Sequence, residues 1–236
     1  MLAELAPFAV LAVVTVGLVL MFRHMASVKR QLGERPKELE AGAADYGYRP
    51  APDRLESIVQ ELEAAPRFQN KNLHLTHLLA KEAPGGDRFI LDYSASGRTG
   101  GSSDERGTMF VIRLDGERLP RFLFRRSEFK MPKLLVAGME KLIRFRYPEF
   151  TQVPLEMVSP DLAQSLMFAE SRDVGLQVLT HDVINALSRH DGWSVESTGW
   201  WLFAERDAHG GSSSKSVTTV IEELAEFEEL AEAFTD

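Results

Sequence analysis

The residues most able to do chemistry are a glycine-serine-lysine run, a few histidines and a tryptophan pair. The run is HGGSSSKSV, from His209 to Val217. A phosphate cradle needs glycine directly before Lys-Ser, because the backbone must wrap closely around phosphate oxygens. Here Ser214 precedes Lys215, and neither the upstream glycine spacing nor a preceding strand fits. The stretch therefore reads as a loop whose Ser216 caps the helix that follows. His181-Asp182 and His190-Asp191 are the dipeptides of metal-dependent phosphohydrolases, but such sites draw further His and Asp ligands from several helices. Six scattered histidines supply no such set. His74 and His77, three apart, fall on opposite faces of a strand. There is no Gly-x-Ser-x-Gly elbow, no His-Glu-x-x-His and no Gly-x-Gly-x-x-Gly. No catalytic residue, metal ligand or cofactor site is expected.

Trp200-Trp201 followed by Phe203 carries a different chemistry. Along a strand, Trp200, Leu202 and Ala204 point one way and Trp201 and Phe203 the other. Apolar residues on both faces mean a strand covered on both sides, or one covered on one side and open to a partner on the other. Trp200, Trp201 and Phe203 are the candidate partner-binding residues.

Composition narrows the class. The hydrophobic fraction of 44% and charged fraction of 26% are those of a globular chain. A net charge of −8 argues against nucleic acid as a partner, since counterion displacement needs a basic surface. The absence of cysteine excludes disulfides and thiolate metal sites.

The elements that must position these residues begin with an apolar run. Residues 5–22 carry no ionisable side chain, and eighteen helical residues would span about 27 Å. A signal peptide would need a positive n-region and an early cleavage site, and neither is present. The run predicts a transmembrane anchor in contact with the lipid bilayer. Arg23, Lys29, Arg30, Arg35 and Lys37 all follow it, which puts the N-terminus out and the rest in the cytoplasm of a single-pass inner-membrane protein. Residues 1–30 form the anchor and basic flank, 31–52 a Gly- and Pro-rich tether with a helical turn around Lys37–Ala44, and 53–236 a folded domain.

Within that domain Asp53 and Glu56 have capping-box spacing and open a helix to about Ala65. Strands are predicted at Leu73–Lys81, Arg88–Ser96, Thr108–Asp115 and Arg121–Arg126, with a long hairpin loop, SGRTGGSSDERG, between the second and third. A helix follows Pro132, then a strand at Phe150–Val158 and helices at Pro160–Phe168 and Val174–Arg189. A hairpin runs through Trp193–Ala204, and an amphipathic helix with an acidic outer face closes the chain. Grouped strands and helices predict an α+β domain of antiparallel strands and packed helices.

Charge is split along the chain. Eight Lys and Arg residues lie between Arg121 and Arg146, whereas no Lys or Arg follows Lys215. Arg125, Arg126, Lys130 and Lys133 are the candidates for a basic surface facing anionic lipid, where each such side chain contributes about 1 kcal/mol.

Three short segments, LPRF at Leu119–Phe122, YPEF at Tyr147–Phe150 and GWSVE at Gly192–Glu196, resemble a group of uncharacterised bacterial single-pass membrane proteins with a C-terminal α+β domain. Trp200 departs from that pattern, which has a polar residue there. The resemblance implies no catalytic assignment. The expected function is a membrane-anchored, cytoplasm-facing binding or scaffold domain without catalysis. The alternatives are an accessory subunit of a larger membrane complex and a hydrolase with a site near SGRTGGSSDERG.

Overall fold

A computed structural model describes residues 34–68, 71–97, 105–116, 118–126, 147–206 and 215–235, together with 138, 141 and 143–145. Helix α1 covers 34–44 and is followed by β1 (Arg49–Pro50), α2 (Leu55–Glu63), β2 (Lys71–Lys81), β3 (Gly86–Gly97), β4 (Glu105–Leu114) and β5 (Phe122–Arg126). Then come β6 (Thr151–Val153), β7 (Ser165–Ala169), α3 (Arg172–Val178), α4 (His181–Arg189), β8 (Trp193–Ser197), β9 (Trp201–Arg206) and α5 (Val217–Thr235). Among the described residues the strands form one sheet in the order β1-β2-β3-β4-β9-β8-β5-β7-β6. Every pairing in it is antiparallel.

The period-2 alternation of strand side chains assigns each residue to a face. On β3, Ile90 joins the core formed with α1, α4 and α5, while Phe89, Leu91 and Tyr93 join the core under α2 and Phe68. A third small cluster, Tyr147, Phe150, Leu166 and Phe168, covers the second face over β5 and β7. The sheet is therefore sandwiched between two layers. That explains why β7, SLMFA, is buried at every position.

Four expectations are corrected. The first is the membrane anchor. No helix among the described residues is long and apolar enough to cross a membrane, and the predicted span, 5–22, lies outside them. The single-pass, inner-membrane, N-terminus-out assignment is accordingly not supported. What is observed is a sheet-rich domain with a nine-stranded antiparallel sheet and several helices.

The second correction is the tether. Residues 34–44 form a helix whose Leu39 and Ala43, four apart, are fully buried. Gly42 is no breaker: a Cβ there would sit 2.8 Å from Cγ1 of Ile221, so its bare backbone permits close contact with α5. Arg35 anchors the start of α1, its Nε donating to Asp92 at 3.0 Å and its Nη2 to Thr108 at 2.8 Å. Tyr48 is also buried, and burial together with the nearby Glu228 carboxylate pushes its phenol pKa far up.

Third, the helix expected at Pro160–Phe168 is a single 3-10 turn, Pro160–Leu162, capped by Ser159, followed by strand β7. Leu, Ala, Gln and Met favour helix weakly, and the slot between β5 and β6 overrides that preference. The stretch expected as one helix at Val174–Arg189 is two, the second capped by Thr180, and the Phe150–Val158 strand shortens to β6. Asp53 does not cap α2, whose N-cap is Arg54 without a side-chain bond.

The fourth concerns α5, whose acidic face is not simply outward. Glu223 is 3% exposed and is held by Lys215 Nζ at 2.7 Å. Glu228 accepts from Tyr48 at 2.6 Å and Arg88 at 2.6 Å, and also from Lys81. Glu226 accepts from Trp193 Nε1 at 2.8 Å and from Arg206 at 2.9 Å. Glu226 and Glu228 fasten the helix to the sheet, whereas Glu223 holds the residue that leads into the helix.

Candidate functional site

The turn between β8 and β9 places one large aromatic at the surface. Gly199 has φ +102°, a conformation that favours glycine, and its N–H donates to Ser197 Oγ at 3.3 Å. Thr198 N–H donates to the carbonyl of Trp201 at 3.0 Å, closing the hairpin. The end of β4 and the loop after it are tied to the same turn. Leu114 N–H donates to the Trp200 carbonyl at 2.9 Å and Leu119 N–H to the Gly199 carbonyl at 3.1 Å. Two chain segments 80 or more positions apart thus share one hydrogen-bonded frame.

On that frame Trp200 is 41% exposed. The guanidinium carbon of Arg118 stands 4.6 Å from its ring centroid, a cation–π arrangement. Arg118 is itself exposed. The frame orients an indole face and a guanidinium fork together before anything binds.

The other two members of the predicted aromatic trio are core residues, which corrects that part of the reading. Trp201 packs against Phe89 with centroids 6.1 Å apart, and Phe203, fully buried, makes an edge contact with Phe68 at 6.0 Å. The predicted alternation is observed, with Leu202 and Ala204 in the first core and Trp201 and Phe203 in the second. Trp200 precedes the strand by one residue and escapes both layers.

The basic candidates do not form one surface. Arg126 turns inward, donating through Nε to Asp191 and through Nη1 to the Leu187 carbonyl at 2.9 Å, and is 15% exposed. It cannot face a lipid headgroup in this arrangement. Arg125, one residue earlier on β5, points to the opposite face of the sheet and is half-buried. Lys130 and Lys133 lie outside the described residues, as does most of the helix expected after Pro132.

The histidines are dispersed. His77 stands 3.6 Å from Glu40, and His190 lies 3.1 Å from Glu229 and 3.7 Å from Glu226. The His190 hydrogen bond holds the Glu229 carboxyl below its ordinary range. Among the described residues no group of His, Asp or Glu could hold a metal ion. In the glycine-serine-lysine run, 209–214 lie outside the described residues. Ser216 does cap α5, accepting from Thr219 N–H at 3.1 Å.

A polar seam that the sequence did not single out crosses the second face. Tyr147 donates to Glu196 at 2.6 Å and Tyr93 to Glu205 at 2.9 Å, while Arg67 reaches both carboxylates. Glu196 and Glu205 lie on neighbouring strands, two positions apart in register and so on the same face: Glu196 opposes Phe203 and Glu205 opposes Ser194. The available signal was alternation in GWSVES, which puts Glu196 on the face opposite Trp193 and Val195. Arg67, more than a hundred positions away, had none.

The three short segments of the resemblance converge in space. Arg121 of LPRF pairs with Glu149 of YPEF at 3.1 Å and stands over Phe150 at 5.4 Å, and Tyr147 of YPEF holds Glu196 of GWSVE. Their role here is to join β5, β8 and the connection before β6. No family model, curated protein or solved structure matches the chain, so the resemblance to uncharacterised single-pass proteins gains no support from relatives.

Proposed function

We propose that this chain is a binding module that presents the Arg118–Trp200 pair to a protein partner and acts by binding rather than by catalysis. The observation that carries the reading is the display of Trp200, 41% exposed on a turn fixed by backbone hydrogen bonds, while Trp193 and Trp201 are buried. Tryptophan and arginine are the side chains most often found to dominate interface energetics, and a preformed pair loses little entropy on docking. The carboxylates on both faces also fit a scaffold, because Asp92, Glu196, Glu205, Glu226 and Glu228 each hold a cation from another element or its flank.

The test is site-specific photocross-linking in cells that naturally express the chain. A cross-linker replaces exposed Asp115, next to the frame, or exposed Glu232 on α5 as a control. A discrete adduct from position 115 that is lost in Trp200→Ala is the expected result, since hot-spot truncation costs about 2 kcal/mol or more. Equal adducts from both positions, or an adduct indifferent to Trp200→Ala, would overturn the reading.

A further inference from the structure

The strand order leaves one long strand with half of its outer side uncovered. Strand β2 runs for 11 residues, but its outer neighbour β1 spans 2 and pairs only with Leu79 and Ala80. The Ala51 N–H adds one bond, to the Leu78 carbonyl at 3.2 Å. Among the described residues no strand flanks residues 71–76 on that side. An edge of this kind is a template for another extended chain.

The register shows which peptide groups face outward. The Leu78 carbonyl points to Ala51, so Leu78 and Ala80 present their peptide groups to the outer side. The bulge between Leu75 and His77 inserts one residue and reverses the parity. Upstream of it, the outward peptide groups are therefore those of Leu75 and Leu73. The Leu73 N–H accordingly donates to Oε1 of Glu63, on α2, at 3.4 Å. The Leu73 and Leu75 side chains are buried in the layer beneath α2, whereas Asn72 and His74 are exposed on the other face.

We propose that this outer edge is a pairing surface for a second copy of the chain, antiparallel about Leu73, and that Glu63 holds the pairing in check. A twofold contact must be self-complementary, and this register is. With Leu73 opposite its own counterpart, Lys71 faces Leu75 and Asn72 faces His74 of the other copy, so no like charges are opposed. The two Leu73 side chains meet at the axis and join the apolar layers beneath the two α2 helices. The group that resists is Glu63. Its carboxylate occupies the N–H at the axis, so both copies must give up that bond, and two carboxylates approach each other as the edges close. A charge set against an open edge is a known means of preventing edge-to-edge association.

The chain contains no cysteine, so introduced thiols report on this register alone. In the proposed pairing Asn72 and His74 of the two copies form a non-hydrogen-bonded pair with Cα atoms about 4.5 Å apart, within disulfide reach. Asn72 and its own counterpart lie diagonally, roughly 7–8 Å apart, as do the two His74 residues, which is beyond that reach. The experiment mixes purified full-length Asn72→Cys and His74→Cys chains under mild oxidation, with Glu63 present and with Glu63→Ala. A disulfide-linked mixed dimer is the expected product, formed about tenfold or more faster in Glu63→Ala, where neither Leu73 N–H has to be released from a side chain. Either cysteine variant alone should give little dimer. Glu63→Gln, which keeps an acceptor oxygen and removes the charge, should fall between, and it keeps the comparison intact if Glu63→Ala lowers the melting temperature. No mixed dimer in any background, or same-variant dimers in equal amount, would overturn the pairing. Equal rates with and without Glu63 would overturn its role.

Discussion

Tyr147 donates its hydroxyl to Glu196 at 2.6 Å across 49 positions of sequence, and both groups are buried. Glu196 is 5% exposed in a strand with apolar neighbours. A carboxylate in that position is tolerated only with donors, and Tyr147 and Arg67 supply them. Removal of the tyrosine oxygen alone tests the relationship. Tyr147→Phe keeps the ring stacked on Phe150, now 4.9 Å centroid to centroid, and deletes one donor. Stability in urea should fall by about 1–3 kcal/mol, the cost of stranding a buried acceptor. A change within measurement error would mean that Arg67 alone satisfies Glu196.

Much of the sheet was legible. Strands β2 to β5 carry alternating or β-branched apolar residues bounded by Gly, Pro and Asp, and they were located to within a few residues. The β8–β9 hairpin was legible for the same reason. What failed was decided by distant partners. Gly42 reads locally as part of a Gly- and Pro-rich tether but is a point of close helix approach to Ile221. The segment leading into β7 reads as helix by propensity, yet two neighbouring strands claim it. Tyr48 and Glu228 are 180 positions apart, so no local pattern announces their bond. At the candidate site the outcome turned on one residue: β9 begins at Trp201 and not at Trp200, which leaves Trp200 outside and Trp201 inside.

The titration of Glu223 gives a pH-dependent prediction. Burial is the largest influence on this carboxyl and raises its pKa from the ordinary 4.5, against the opposing pull of Lys215. A folded-state pKa above the unfolded one means that the native state binds the proton more tightly. Its stabilising contribution is therefore complete below about pH 4.5 and is lost as pH rises through the folded value. Glu223→Gln removes that dependence. Melting temperature of the variant minus that of the wild type should climb as pH rises from about 4.5 toward neutrality. A flat difference would show that burial does not disfavour the Glu223 charge.

Glu229 should behave in the opposite sense. His190 and Arg189 lower its pKa, so its contribution is present above pH 4.5 and fades as pH falls through the folded value. The group is half exposed and well screened, so the effect is small. In Glu229→Gln the melting-temperature difference from wild type should shrink in acid, and growth of that difference in acid would contradict the assignment.

Two glycines with positive φ separate backbone strain from collision. At Gly116, φ +94°, nothing lies within 4 Å of an added Cβ, so Gly116→Ala meets strain alone. At Gly86, φ +150°, the Cβ would stand 2.3 Å from the Arg113 carbonyl oxygen in the partner strand. Gly116→Ala should cost about 1 kcal/mol, and Gly86→Ala clearly more, roughly 2–4 kcal/mol, because β3 and β4 must part. Equal losses would mean that the β3–β4 pairing yields freely at this point.

The adjacent tryptophans provide the sharpest contrast between core and display. Trp201 is 7% exposed and sits on Phe89 in the layer beneath α2, so truncation opens a cavity between the sheet and that helix. Trp201→Ala should lose about 3–5 kcal/mol of stability. Trp200 contributes to the fold through its backbone carbonyl, which accepts from Leu114 N–H and is untouched by side-chain truncation. The side chain adds its contact with Arg118, worth about 0.5–1 kcal/mol at an exposed site. Trp200→Ala should therefore cost no more than about 1 kcal/mol in urea denaturation. Arg118→Ala should cost about the same, and the double variant little more than either single change, because both remove one shared contact. A loss in Trp200→Ala approaching that of Trp201→Ala would make Trp200 a structural residue and remove the basis for placing it at an interface.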